Sequence, residues 1–363
     1  KLVVFDQPNI SAARNLGLAQ AAAPVVAFID DDAMAEPTWL SRLVQRFQHP
    51  EVVAATGFVR GRNGISLQWG AAHVDALGQD HPFEVPEEGA LLPSTPRHAV
   101  KTVGTNCAFR TAALRAVGGF DPAYSFYLED ADVNLRLGPQ GLTAVVPLAQ
   151  VHHGFEASAR RRADRVPVSL HEIAASTAVF LRRHAAPQLA GGLEALRRHE
   201  DARLEAHRRA RRLTVDQVAA LREGLEDGWA EGLARDLGPL VSLTTAGAAF
   251  APLAGTGPRP GLVLAGRPWN RPKLIRQATG AASQAIVTVY SLSPTARRHR
   301  VRFDPRGFWL HEGGLFGQVL REGPRLRFLG FAARIRLECN HWAKFRPMDA
   351  KGCPAGKFLD EGT

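Results

Sequence analysis

The chain has 363 residues, 45% of them hydrophobic, and a formal net charge of +10. Because this length exceeds one ordinary domain, two domains are the default. The composition is that of a globular protein, which excludes a fibrous or disordered chain. No apolar run reaches the roughly 20 residues of a transmembrane helix, and three scattered cysteines favour a reducing compartment, so we expect a cytoplasmic chain.

An acidic triplet follows the first strong strand pattern. The apolar run from Val25 to Ile29 predicts a buried strand, and Asp30, Asp31 and Asp32 come directly after it. Because side chains alternate along a strand, Asp30 and Asp32 point to one side and Asp31 to the other. Neighbouring like charges cost free energy unless a cation binds, so the pair suits a hard divalent cation that carries phosphate oxygens. A solvated acidic turn or a helix N-cap is the alternative for the triplet alone.

A second acidic cluster opens a predicted helix. Glu129, Asp130 and Asp132 fall in its first turn, which is more acid than capping needs, although simple partnership with the helix dipole is the alternative. The next predicted strand is followed by the pair His152-His153. A histidine pair just past a strand end, in a chain with two acidic clusters, is a metal-ligand candidate.

Taken together, five sequence blocks resemble the core of a family 2 glycosyltransferase with the GT-A fold. In chain order they are Asn9 to Asn15 with the acidic triplet, Val103 to Arg110, Gly118 to Asp121, Glu129-Asp130 and His152-His153. Each block alone is weak, but their order and spacing match the family, and the resemblance covers about residues 1–165. It implies an α/β fold for this part of the chain, with a GT-A-like (Rossmann-like) mixed sheet flanked by helices.

The resemblance also implies an activity, the inverting and metal-dependent transfer of a sugar from a nucleoside diphosphate sugar to an acceptor hydroxyl. The cofactor would be a divalent cation, Mn²⁺ or Mg²⁺, and the acceptor a glycan, a lipid-linked saccharide or a protein in polysaccharide or glycoconjugate synthesis. The alternative is a non-catalytic protein that binds a sugar nucleotide or a glycan on a transferase-like domain. The intact acids Asp30, Asp32 and Asp130 argue against that alternative.

The family motifs imply a role for each matching residue. The triplet resembles the DxD motif, in which Asp32 binds the metal and Asp30 lies near the ribose or sugar. Asp130 resembles the general base, and a carboxylate in that role is typically worth 10²–10⁴-fold in rate. His152 resembles the histidine near the metal and diphosphate, and His153 is the less favoured of the pair. The other predicted substrate-binding residues are Glu129 beside the base, Arg14 and Asn15 beside the nucleotide, and Asn106 on the strand that lines the sugar pocket.

The start of the chain departs from the family pattern. Residues Lys1 to Phe5 resemble a middle strand of the domain, and the family's first βα units, with the acid that reads the nucleotide base, are absent. We therefore expect a chain that lacks N-terminal sequence, with a sheet that starts at Leu2 to Phe5.

Residues 166–245 are predicted to be a helical region rich in arginine. Thr214 and Gln217 have the spacing of a capping box, and Glu194/Arg198 has the i, i+4 spacing of a helical ion pair. The arginines predict a solvated helical surface; a face for peripheral contact with an anionic membrane, at its inner side, is the alternative. No nucleic acid partner is predicted, because aromatic residues are sparse among these arginines.

The C-terminal third is predicted to hold a small second α/β domain. Residues 246–260 are rich in Ala, Gly and Pro and predict a linker. Residues 261–338 predict a βαβ crossover followed by a hairpin around residues 304–307. Residues 339–363 are polar and predict a disordered tail.

Overall fold

The computed structural model describes residues 2–154, 162, 164–245, 247, 249–253 and 257–349. Within these residues the strands are β1 (Val25–Ile29), β2 (Ala33–Ala35), β3 (Val52–Arg60), β4 (Leu67–Trp69), β5 (Ala72–Asp75), β6 (Asp80–Pro82), β7 (Ala90–Leu92), β8 (His98–Val100), β9 (Asn106–Arg110), β10 (Leu142–His153), β11 (Gly261–Gly266), β12 (Ile286–Ser293), β13 (Arg300–Asp304) and β14 (Phe308–Gly314). The helices are α1 (Ile10–Gln20), α2 (Trp39–Gln45), α3 (Thr111–Ala116), α4 (Glu129–Leu137), α5 (His171–His184), α6 (Leu189–Arg209), α7 (Val215–Ala234), α8 (Arg271–Ala281) and α9 (Phe331–Trp342).

The largest sheet has the strand order β1-β9-β3-β10-β2, with β4 paired to β3 and β7 to β10. Strand β9 is antiparallel to both β1 and β3, and β3 is parallel to β10, so β1, β3 and β10 run in one direction. Apolar side chains pack on both faces of this sheet, including Phe109 and Phe120 in one cluster and Leu43 in another. The predicted mixed sheet flanked by helices is therefore confirmed, and the carboxyl ends of β1 and β10 meet at one edge.

The prediction that the sheet starts at Leu2 is wrong, because residues 2–9 form no strand. The side chains of Leu2 and Val4 are 90% and 82% exposed, so this segment contributes little to the core. In the described residues the sheet begins at β1.

A small sheet with the order β6-β5-β8 stands beside the large one. It packs on the acidic helix α4 and on α5 through a buried cluster that includes Val74, Leu128 and Phe180. This sheet forms one wall of the cavity described below.

The helical region is confirmed, and it is fastened to α4 and to the loop before it. The capping box of Thr214 and Gln217 forms at the start of α7. Ser176 Oγ on α5 donates to the Phe126 carbonyl at 2.7 Å, and His184 Nε2 lies 2.8 Å from Asp132 Oδ1.

Several arginines of the helical region pair with acids on the same or a neighbouring helix. Arg198 lies 3.5 Å from Glu194, and Arg222 lies 2.7 Å from Asp201. These pairs agree with the solvated helical surface, while contact with an anionic membrane stays a prediction. Two further arginines that precede the helical region in the sequence, Arg160 and Arg161, lie outside the described residues. Among the residues that the structure describes, no helix is both long and apolar enough to cross a membrane.

The C-terminal unit has a four-stranded sheet with the order β11-β12-β14-β13. Strands β11 and β12 are parallel with α8 between them, and β13 and β14 form an antiparallel hairpin, as predicted. The unit packs directly on the first sheet, since the Val301 amide donates to the Asn63 carbonyl at 2.9 Å and Thr38 Oγ1 donates to the Phe345 carbonyl at 3.0 Å.

The predicted tail from residue 339 is wrong for residues 339–349. Helix α9 continues to Trp342, and the side chains of Trp342, Phe345 and Arg346 are buried against the first sheet and the C-terminal unit. The rest of the predicted tail, residues 350–363, and part of the predicted linker lie outside the described residues.

Candidate active site

Three side chains that can bind a metal ion converge where β1 and β10 end. His153, the last residue of β10, places Nε2 at 3.0 Å from Asp32 Oδ1 and 4.0 Å from Asp30 Oδ2. The ligand atoms of all three residues lie within 4.8 Å of one another, and we call Asp30, Asp32 and His153 the metal-ligand cluster. As the strand pattern predicts, Asp30 and Asp32 share one side of the chain.

The chemistry of this donor set suits Mn²⁺ or Mg²⁺. His153 Nδ1 lies 3.1 Å from Gln68 Oε1, an acceptor that favours a proton on Nδ1. In that tautomer the lone pair of Nε2 would be available to a cation bound between His153 and Asp32. Two carboxylates and one neutral imidazole are hard or intermediate ligands of the kind that such cations accept.

His152, the predicted metal ligand, faces the other side of β10, because neighbouring residues on a strand point in opposite directions. Its Nε2 lies 2.8 Å from Glu36 Oε1, and its ring lies 4.7 Å from that of Trp309. Burial lowers its pKa from the ordinary range. This is a correction of the sequence-based assignment: His153 takes the place predicted for His152.

Arg14 joins the metal-ligand cluster to the acidic helix. Its Nη1 donates to Glu129 Oε1 at 2.9 Å, and its Nη2 lies 3.8 Å from Asp30 Oδ1. Thr105 Oγ1 also donates to Asp30, at 2.5 Å. The guanidinium passes directly over Gly104, where a Cβ would lie 2.4 Å from Arg14 Nη2, so a larger residue here would displace the guanidinium.

Asp130 lies in the first turn of α4, next to the same loop. Its Oδ1 accepts from the Ala131 amide at 2.8 Å and its Oδ2 from the Gly104 amide at 3.4 Å. Burial, together with the Asp130 carboxylate, raises the pKa of the neighbouring Glu129 despite the ion pair with Arg14. Gly104 donates to Asp130 and the next residue, Thr105, donates to Asp30, so this two-residue segment connects the predicted base to Asp30.

Two consecutive residues before this pair adopt the left-handed backbone conformation. Tyr127 has φ of 76° and Leu128 has φ of 66°. Non-glycine residues in that region cost about 1–3 kcal/mol each and persist only where the surroundings hold them. The hydrogen bond from Ser176 to Phe126 is one such restraint. This turn directs Glu129 and Asp130 into the cavity, and neither residue type signals it in the sequence.

Asn15 and Asn106 do not line the cavity, contrary to the prediction. Asn15 accepts from the Phe120 amide and donates to the Phe120 carbonyl, at 2.9 and 2.6 Å, and so clamps a turn. Asn106 is buried, donates to the Phe58 and Ala149 carbonyls at 2.9 Å each, and accepts from Trp39 Nε1 at 2.7 Å. Every polar atom of its amide group thus holds the interior of the sheet together.

The cluster and Asp130 open into one cavity of about 1380 Å³. Its lining brings together Arg14, Asp30, Asp32, Glu129, Asp130 and His153, and adds residues that the sequence did not single out, among them Trp69, Lys101 and Thr105. The carboxylates of the lining are Asp30, Asp31, Asp32, Asp80, Glu84, Glu129 and Asp130. Against these seven acids stand two cations, Arg14 and Lys101, which leaves a net formal charge of −5 with His153 neutral.

A second group of possible ligands lies in the core of the C-terminal unit, formed by His299, His311 and Glu338. Glu338 Oε1 accepts from Arg334 Nε at 2.9 Å, so its charge is balanced by a buried guanidinium. Burial lowers the pKa of both imidazoles. This group is a buried polar network, remote in sequence from the residues of the cavity.

Replacing His153 with Gln should weaken Mn²⁺ binding by at least about tenfold, since the ligand nitrogen is lost. His152→Gln is the matched control, because it removes the neighbouring imidazole without touching the cluster. It should lower the thermal unfolding midpoint and leave Mn²⁺ affinity close to that of the wild type. The Mn²⁺ affinity of both variants is measured by titration, with the free Mn²⁺ detected by electron paramagnetic resonance. The reverse pattern would restore His152 as the ligand.

The family model of glycosyl transferase family 2 matches residues 1–118. We call these matched residues the family 2 segment. The family 2 segment contains Asp30, Asp32 and Arg14, while Glu129, Asp130 and His153 follow it in the chain.

The relatives extend the similarity towards residues beyond the family 2 segment. The O-antigen biosynthesis protein RfbC of Myxococcus xanthus is 31% identical over 175 residues, 46% of this chain and 13% of RfbC. The pre-mycofactocin glycosyltransferase of Mycobacterium tuberculosis is 32% identical over 156 residues, 41% of this chain and 31% of that protein. A solved structure of GalNAc-T7 with UDP, GalNAc and Mn²⁺ has 13% identity and a TM-score of 0.35, over 48% of this chain and 34% of that chain. The aligned part of the chain thus spans less than a third of these two curated relatives.

Proposed function

We propose that the chain is an inverting glycosyltransferase that moves a sugar from a nucleoside diphosphate sugar to an acceptor hydroxyl and requires a divalent cation. The observation that carries the proposal is the convergence of Asp30, Asp32 and His153 within 4.8 Å, in the cavity that also contains Asp130. The family 2 segment and the relative from Mycobacterium tuberculosis, which is named a glycosyltransferase, support the same reaction class.

The residues divide the work between the two ends of the cavity. Asp32 and His153 would hold the cation, with Asp30 beside them, and the bound cation supplies a Lewis acid for the charge that develops on the leaving diphosphate. Asp130 accepts the proton of the attacking hydroxyl, and one base acting opposite the leaving group gives a single displacement with inversion. Arg14 contacts both Asp30 and Glu129. It therefore holds the cation-binding end of the site at a fixed distance from the end that contains Asp130.

A non-catalytic protein that binds a sugar nucleotide or a glycan would have the same cavity, so turnover decides between the two. The test is incubation of the chain with a panel of UDP-, GDP- and dTDP-sugars and saccharide acceptors, in Mn²⁺, in Mg²⁺ and in EDTA. We expect release of nucleoside diphosphate with at least one donor in Mn²⁺ or Mg²⁺ and none in EDTA. Donor-induced thermal stabilisation without release for any donor would instead support the binding protein.

A further inference from the structure

The cavity extends well beyond the metal-ligand cluster. A pocket for a drug-sized ligand occupies about 300–1,000 Å³, whereas this cavity measures about 1380 Å³. Besides the metal-ligand cluster, its lining includes Trp69, Phe83, Asp80, Lys101 and Tyr127; Asp80 lies in β6, and Phe83 and Lys101 directly follow β6 and β8. We call these five residues the outer half, and they leave room for a second molecule beside the donor.

Aromatic side chains give the outer half apolar faces. The Trp69 ring lies 5.7 Å from the ring of His153, so it stands next to the metal-ligand cluster. Phe83 stacks on His73 at 4.4 Å, which fixes its orientation, and Tyr127, which lines the cavity, is 42% exposed. Rings held in this way offer rigid apolar surface with a polar edge, which suits the C–H faces and hydroxyls of a sugar ring.

Both cations in the described lining are already paired with carboxylates. Lys101 Nζ lies 2.7 Å from each carboxylate oxygen of Asp80, and Arg14 pairs with Glu129 at 2.9 Å. A divalent cation would offset two of the five net negative charges, and the diphosphate of a donor would add about two again. An acceptor that carries a carboxylate or phosphate next to its reacting hydroxyl would therefore be repelled by the negative potential of the cavity. Neither Lys101 nor Arg14 would offset this repulsion, because both are already paired with carboxylates.

We propose that the outer half binds an uncharged saccharide as acceptor and discriminates against saccharides that carry an anionic group on the reacting residue. This inference rests on the proposed transferase function, since it assigns the second substrate of the same cavity. Asp80 is the specificity-determining residue, because it neutralises Lys101 and leaves the outer half without net positive charge.

The test uses matched saccharide pairs on an array, in which the terminal glucose, galactose or N-acetylglucosamine is compared with its C6 carboxylate counterpart. Binding is measured with Mn²⁺ and nucleoside diphosphate present. We expect the neutral member to bind at least about tenfold more strongly in every pair that binds, with a difference that shrinks as salt is added. Equal or stronger binding of the carboxylate members, or no binding of either member, would overturn the inference.

Two substitutions move the discrimination in opposite directions. Asp80→Asn removes the partner of Lys101 and should reduce the difference in affinity between the neutral and the carboxylate member of each saccharide pair. Lys101→Gln should increase that difference. Glu223→Gln, on the exposed face of α7, is the control and should change nothing. If neither Asp80→Asn nor Lys101→Gln moves the difference, Asp80 does not set the specificity.

The donor assay separates this inference from the proposed function. Release of nucleoside diphosphate without any preference for neutral acceptors would contradict the inference alone. Absence of both donor binding and release across the donor panel would contradict the proposed function itself.

Discussion

Asp130→Asn should lower kcat by about 10²-fold or more while leaving donor binding intact. The substitution keeps the volume of the side chain and its hydrogen bond from the Ala131 amide, but it removes the proton acceptor. Because the metal-ligand cluster is untouched, the affinity for Mn²⁺ and donor should stay near that of the wild type. Single-turnover kinetics with a donor that the wild type uses, beside calorimetry of donor binding, separate the two effects.

Asp216→Asn is the matched control for this experiment. Asp216 is also an acid in the first turn of a helix, but it lies on the exposed surface of α7. It should have no effect on kcat. Transfer by Asp130→Asn at a rate close to that of the wild type would show that Asp130 only caps α4.

Arg346→Met should cost about 3–5 kcal/mol of stability, the second large effect. Arg346 Nη2 lies 2.5 Å from Glu36 Oε1, both side chains are fully buried, and the guanidinium stacks on Trp309 at 4.0 Å. Among the described residues, removal of the cation leaves the buried Glu36 carboxylate with one side-chain hydrogen-bond partner, His152, and with Arg60 as the remaining nearby cation. The thermal and chemical unfolding midpoints measure the loss, and Glu36→Gln in the same chain should recover part of it.

Lys344→Met is the control for the buried pair. Lys344 pairs with Glu87 at 2.7 Å, but both side chains are about half exposed, so this pair is worth at most about 1 kcal/mol. Equal destabilisation by Lys344→Met and Arg346→Met would mean that the buried pair does not hold the C-terminal unit on the first sheet.

The effect of Arg346→Met should also depend on pH. Burial alone would raise the pKa of Glu36, but Arg346 and His152 outweigh it and lower the pKa from its ordinary range. A carboxyl group whose pKa is lowered by folding contributes stability above its unfolded pKa of about 4.3, and that contribution is lost as the pH falls through the folded pKa. The difference between Arg346→Met and the wild type should therefore be full near pH 7 and should shrink in acid.

Local patterns were enough to predict several of the elements and part of the site. Alternation along a strand predicted that Asp30 and Asp32 share a side, and their common contact with His153 agrees. The capping box at Thr214 was likewise readable from four residues. Each of these features depends on neighbours in the chain, so no tertiary information was needed.

Features that depend on distant partners were not predictable in the same way. Which of His152 and His153 reaches the acids depends on the register that places His153 opposite Ala33. Asn106 carries no local sign that its amide will be consumed by Trp39 and by two other strands. The stretch around Arg346 is polar, and its composition therefore predicted a disordered tail. Its buried partner, Glu36, lies 310 positions earlier in the chain, so no local pattern indicates the contact.

Calorimetry of donor binding to the wild type and to Asp32→Ala tests the metal-ligand cluster most directly. The donor is the nucleotide sugar that the release assay identifies. It is titrated into the protein once in the presence of Mn²⁺ and once in the presence of EDTA. We predict that the wild type binds this donor only with Mn²⁺ and that Asp32→Ala, while still folded, loses Mn²⁺-dependent binding. Unchanged donor affinity in Asp32→Ala, or equal affinity of the wild type in EDTA, would contradict a cation site at Asp30, Asp32 and His153.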